Sequence, residues 1–202
     1  MGRNVNRQGT LRRKKQIVKA ALECFRSGGI RKSSMQQICK QAGLSPGTVY
    51  HYFSSKDDII AHVARIELEK AQEFAALITH AASLEEAMTT AVDHILHNNE
   101  YDGQFQVYME IACEAGRNEQ VGKLLLQSDK TVLEALTARI RREQMLGILK
   151  TGTNQAFSPE TIAQFLGSQL EMLEMFKRSS PSTDDCTGMA SLTKQMLTAI
   201  LR

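Results

Sequence analysis

The segment Ala42-Gly43-Leu44-Ser45-Pro46-Gly47 constrains the fold more than any other part of the chain. Gly43 takes a left-handed conformation at no steric cost and so ends the helix before it. Ser45 is a preferred N-cap, and Pro46 then falls at the first helical position, where its missing N–H is harmless. Two helices must therefore meet across a short turn. In the second, "PGTVYHYF", only Val49 and Phe53 are strongly apolar, and they lie about 40° apart on a helical wheel. Gly47, Thr48 and His51 point away from them, and Tyr50 and Tyr52 sit on the flanks. So short a helix is not stable alone. It is held through Val49 and Phe53 and presents a polar outer face.

The same signals recur along the 202 residues. Ile17, Ala20, Ala21, Cys24 and Phe25 make an apolar stripe that predicts a helix over about 11–27, stopped by Gly28 and Gly29. Ser33 with Gln36, or Ser34 with Gln37, forms a capping box opening the next helix, whose inner face is Met35, Ile38, Cys39 and Ala42. Ser54 and Ser55, each with an aspartate three residues on, open a long helix over 55–80. Further helices are expected over 84–98, 101–115, 119–150, 159–178 and 186–201, the first of them opened by Ser83 with Glu86. Beta-branched alternation is scarce, so the fold is expected to be all-α.

Charge divides the chain. Residues 1–60 carry 12 Lys and Arg against 3 Asp and Glu, and the rest carry 13 against 19. A basic head on an acidic body points to an anionic partner for the head. In a helix-turn-helix the second helix enters the major groove with its N-terminal residues nearest the bases. Thr48 and His51 are placed for base edges, and Gly47 lets backbone approach closely. Tyr50, Tyr52 and Lys56 are placed for phosphates, and the helix starts capped by Ser33 or Ser34 and by Ser45 offer backbone N–H groups to phosphate oxygens.

Residues 12–60 resemble the DNA-binding domain of TetR-family transcriptional regulators. The resemblance rests on "CFRSGG" followed by "SSMQQICKQAGLSPGTVYHYFSSKDDII", with Cys39 where the family usually has alanine. It implies DNA contacts at Ser33 or Ser34, Ser45, Gly47, Thr48, Tyr50, His51, Tyr52 and Lys56. It implies a basic arm and three-helix DNA-binding domain over 1–55, joined to a helical effector-binding and dimerisation domain over 56–202. "YMEIACEAGRNEQV" echoes a branch of the family that includes choline-responsive repressors.

Dimerisation is implied on the last two helices, which carry Ile162, Phe165, Leu166, Leu170, Leu173 and Phe176, then Met189, Leu192, Met196, Leu197 and Ile200. The first of these helices is apolar on more than one face, as two burial partners require. The middle helices are expected to enclose a pocket lined by Phe105, Tyr108, Met109, Ala112 and Cys113, with Met88, Met145 and Leu149 as further candidates. Its ligand is expected to be small, mostly apolar and able to carry positive charge, because Glu110 and Glu114 lie near that face.

No H-E-x-x-H, G-x-S-x-G, P-loop or G-x-G-x-x-G sequence occurs, so an enzyme is not expected. Asp93, His94 and His97 share a helix face without an evident fourth ligand, which fits a solvated polar face better than a metal site. No cofactor is expected. Four cysteines without a C-x-x-C pair, and no apolar run of about 18 residues, lead to a reduced, cytoplasmic chain without a membrane partner. The function expected is a ligand-responsive repressor binding a palindromic operator as a dimer. The alternative is a helix-turn-helix DNA-binding protein with no small-molecule effector.

Overall fold

The computed structural model describes residues 2–97, 105–149, 157–179 and 183–201, and among them every regular element is an α-helix. These are α1 (Gly2–Gly28), α2 (Met35–Ala42), α3 (Pro46–Tyr52), α4 (Lys56–His80), α5 (Leu84–His97), α6 (Phe105–Ala115), α7 (Glu119–Met145), α8 (Pro159–Ser179) and α9 (Thr183–Leu201). The all-α expectation holds. Among the described residues no helix is long and apolar enough to cross a membrane.

Helix ends follow the local chemistry. Ser34 caps α2: its hydroxyl accepts from the Gln37 N–H, and the Gln37 side chain accepts the Ser34 N–H at 2.8 Å. Gly43 closes α2 at φ 63°, with the Leu44 N–H reaching the Cys39 carbonyl. Ser45 caps α3 by accepting from the Thr48 N–H at 3.2 Å. The Ser55 hydroxyl accepts from the Asp58 N–H, while the Asp58 carboxylate takes the Ser54 N–H. At α5, Ser83 accepts from the Glu86 N–H as expected, but the Glu86 carboxylate reaches the N–H of Ala82.

Among the described residues three boundaries depart from the sequence pattern by three residues or more, and the expected start of α6 at 101 lies outside the described residues. The first helix begins at Gly2, well before Leu11. Helix α7 stops at Met145 rather than near 150, because Gly147 adopts φ 65° and the Ile148 N–H folds back to the Glu143 carbonyl. Helix α9 starts at Thr183 rather than 186, with Asp184 and Asp185 in its first turn, where acidic groups suit the helix dipole.

The chain forms two compact units. The first comprises residues 1–66 and 106–125. Its core joins Ile17, Ala21 and Phe25 of α1 to Ile38 of α2, Val49 and Phe53 around α3, and Ile59, Ile60 and Val63 of α4. Val107 and Ile111 of α6 and Val121 of α7 belong to the same core. The second comprises residues 67–105 and 126–202. There Ile78, Leu84, Met88 and Val92 pack with Leu136 and Ile140 of α7, Leu166, Leu170 and Leu173 of α8, and Ala190 and Leu197 of α9.

Candidate nucleic-acid interface

Helix α3 is anchored as its sequence requires. Val49 is fully buried and Phe53 is 2% exposed. Phe53 packs on the His62 ring, with the Lys14 ammonium 5.6 Å from its centroid. The turn in front of α3 is tied to α1 by Gln16, whose amide donates to the Ala42 carbonyl at 2.8 Å. Gln16 in turn accepts from the Arg13 guanidinium.

The outward side of α3 carries Gly47, Tyr50 and His51, all exposed, and a half-buried Thr48. Thr48 and Ser45 share a hydroxyl–hydroxyl hydrogen bond of 2.8 Å, which holds the Thr48 methyl and hydroxyl in one orientation. Tyr52 is half-buried against the core and meets the His51 ring edge-on at 5.0 Å. Tyr50 is 52% exposed, so it is not held in the core. No acidic residue lies on α3. A polar face with open space over Gly47, standing on two buried anchors, suits a helix inserted between phosphate backbones.

The structure separates the two serines before α2. Ser34 is exposed and caps the helix. Ser33 is 6% exposed, and its hydroxyl donates to the carbonyls of Cys24 and Gly29. Lys56, the first residue of α4, turns its ammonium onto the carbonyls of Ile30 at 2.7 Å and Ser33 at 3.0 Å. Two of its three donors are thus occupied by the α1–α2 turn. Arg31 and Lys32 in that turn are exposed beside Ser34. They were not singled out from the sequence, although "IRKSS" is its signal.

The candidate pocket residues divide between the two units. Met109 and Cys113 are exposed and Ala112 is half-buried, all in the first unit. Met88 is fully buried in the core of the second unit, where Met145 is 87% exposed. The side chains of Phe105 and Tyr108 lie outside the described part. Glu110 spends its carboxylate on the N–H of Ile30. In the second unit, the Asp93 carboxylate pairs with Lys194, and the His97 ring bonds the Asp93 carbonyl. Cys186 is buried, as is Cys39. Burial raises the pKa of Cys24, and the neighbouring Glu23 adds to that.

On α8 and α9 the apolar residues divide. Ile162, Leu166, Leu170, Leu173 and Leu197 are buried, whereas Phe165, Met172, Met189, Leu192 and Met196 are exposed, four of them by more than 40%.

Residues 17–63 match the family model described as "Bacterial regulatory proteins, tetR family". The HTH-type transcriptional regulator UidR of Escherichia coli K12 is 31% identical over 143 residues, covering 71% of this chain and 72% of UidR. Among solved structures, Salmonella enterica GusR superposes with a TM-score of 0.72 at 26% identity, over 95% of this chain and 96% of that one. The transcriptional regulator FadR of Bacillus subtilis, solved in complex with stearoyl-CoA, shares the fold at a TM-score of 0.67 and 18% identity, over 93% of this chain and 99% of that one. With the helix-turn-helix built as described, this chain belongs to the tetR family of bacterial regulatory proteins and is a DNA-binding transcriptional regulator, not an enzyme.

Proposed function

We propose that the chain is a ligand-responsive repressor that binds a palindromic operator as a cytoplasmic homodimer. The observation that carries this reading is α3: Val49 and Phe53 hold it from behind, and Gly47, Thr48, Tyr50 and His51 are left on its outer side. Thr48 and His51 read base edges. Ser34, Ser45, Tyr50, Tyr52 and the remaining donor of Lys56 hold the flanking phosphates.

One such head spans only a few base pairs, so two must act together, with half-sites about 34–36 Å apart or a multiple of that. The exposed row Phe165 and Met172 on α8, with Met189, Leu192 and Met196 on α9, supports pairing of these helices with those of a second copy. A small-molecule effector is supported by the stearoyl-CoA bound to the structurally similar FadR. The effector acts by favouring a conformation whose two heads no longer match the operator.

Selection of duplexes from a random pool, with and without a library of apolar metabolites, tests the reading. A palindromic consensus released by one metabolite supports it. Retained duplexes with no dyad, or affinity unchanged between about 50 and 200 mM salt, overturn it, because phosphate contacts release counterions. A consensus that no metabolite releases favours a DNA-binding protein without an effector.

A further inference from the structure

We propose that Glu110 is a positioning residue for DNA binding: from α6 it latches the α1–α2 turn and so sets the N-terminal end of α2. The proposal rests on the DNA-binding reading above. Residues 29–33 form the turn, and Ile30 at its centre is 4% exposed. Its N–H donates to the Glu110 carboxylate, and its carbonyl accepts from the Lys56 ammonium at 2.7 Å. Both backbone groups of one turn residue are thus held by oppositely charged side chains from two other helices. Charge-assisted hydrogen bonds of this kind are roughly twice as strong as neutral ones.

The turn is shaped to admit the carboxylate. Gly29 has φ 79°, and a Cβ there would stand 3.2 Å from Glu110 Oε1. Ser33 closes the turn through its bonds to Cys24 and Gly29, and the next residue is the α2 cap, Ser34. On the other side of the latch, Val107 and Ile111 seat α6 in the core of the same unit. Met109 and Cys113, next to Glu110 on α6, remain exposed and open to contact. A hydrogen bond tolerates only a few tenths of an ångström, so a shift of α6 by about an ångström releases the Ile30 N–H. The latch therefore gives any ligand that moves α6 a direct hold on the DNA-contacting end of α2.

The test compares E110A, which removes the acceptor, with E110Q, which keeps an oxygen at the same reach. Amide hydrogen exchange at Ile30 in E110A should accelerate about tenfold or more, the scale of one charge-assisted bond, with the Val49 and Ile59 amides unchanged. Affinity for the tightest duplex selected from a random pool should fall about tenfold, with the slope of log K against log salt unchanged because no Lys or Arg is removed. E110Q should restore most of the affinity. Unaltered Ile30 exchange, an equal loss in both variants, or a changed salt slope overturns the proposal. If E110A does not fold, E110D, one methylene short, takes its place with the same readouts. A wild-type chain that retains no duplex sinks the DNA-binding reading itself, whereas unaltered Ile30 exchange sinks the latch alone.

Discussion

Arg139 and Glu143, one turn apart on α7, form a buried ion pair with 2.7 Å between Nε and Oε1. Neither charge is left to its partner alone. The Arg139 guanidinium donates to the Ala81 carbonyl at 2.8 Å, and the Glu143 carboxylate accepts from the Leu84 N–H at 2.7 Å. The pair thus binds the end of α4 and the start of α5, satisfying helix-terminal groups that would otherwise be buried without partners. Removing one member strands the other charge in the interior. Glu143→Ala should lower unfolding free energy by about 3–5 kcal/mol in urea titration, and the double variant Arg139→Met with Glu143→Leu should cost distinctly less. If the double variant is as unstable as the single, stranded charge is not the cause.

The corner between α6 and α7 depends on a missing side chain. A Cβ on Gly122 would lie 2.8 Å from the Ala115 carbonyl oxygen, which is backbone and cannot swing aside. Asn118 fixes the corner by capping α7 through the N–H groups of Gln120 and Val121. Gly122→Ala gains helix propensity of about 1 kcal/mol at most, yet the overlap costs about 1–3 kcal/mol. The substitution should therefore lower the thermal midpoint, where the same change at an open helical position such as Gly9 should not. A scanning-calorimetry comparison of the two variants decides the matter.

Lys56 is held by the protein before any DNA arrives. Replacing it with Met keeps the stem but removes the bonds to the Ile30 and Ser33 carbonyls. Lys56→Met should lose about 1–3 kcal/mol of stability in the absence of DNA, as well as affinity for every duplex. Unchanged urea unfolding would show that the ammonium serves the ligand only.

Short-range chemistry was the legible part. Caps at Ser34, Ser45 and Ser83 and the break at Gly43 are set within about four residues, so sequence alone exposes them. The two anchors of α3 were legible because a seven-residue helix leaves few candidates. Helix ends failed where apolar pattern and turn chemistry competed. Leu146, Ile148 and Leu149 continue the apolar run of α7, but Gly147 had already ended it. Cys113 sits among apolar neighbours in the sequence, and it is exposed. Nothing local reveals that Lys56 bonds residues 23 and 26 positions away, or that Glu110 bonds one 80 away. Those partners exist only once α4 and α6 share a core with α1, and the packing of α6 and the start of α7 there was not legible either.

Carboxylates on α7 and α8 give the second unit a pH dependence with a definite sign. The surrounding protein raises the pKa of Glu171, and the charges of Asp129 and Glu174 push it further. Asp129 is also raised, because its carboxyl group is partly shielded from water. Glu174 itself pairs with Arg178, while Asp129 stands as a like charge beside Glu171. A raised folded pKa means the folded chain holds its proton more tightly than the unfolded chain. Stability contributed by these groups is therefore greatest while they are protonated. It falls as pH rises from the ordinary carboxylate range, about 4, through their raised folded values, and stays low above them. Both residues keep contact with water, so the effect is small in free energy. Glu171→Gln should raise the thermal midpoint at neutral pH and leave it unchanged near pH 3, where the native side chain is protonated in both states. A gain of equal size at both pH values would trace the effect to packing, and a loss at neutral pH would mean Glu171 has a stabilising cationic partner.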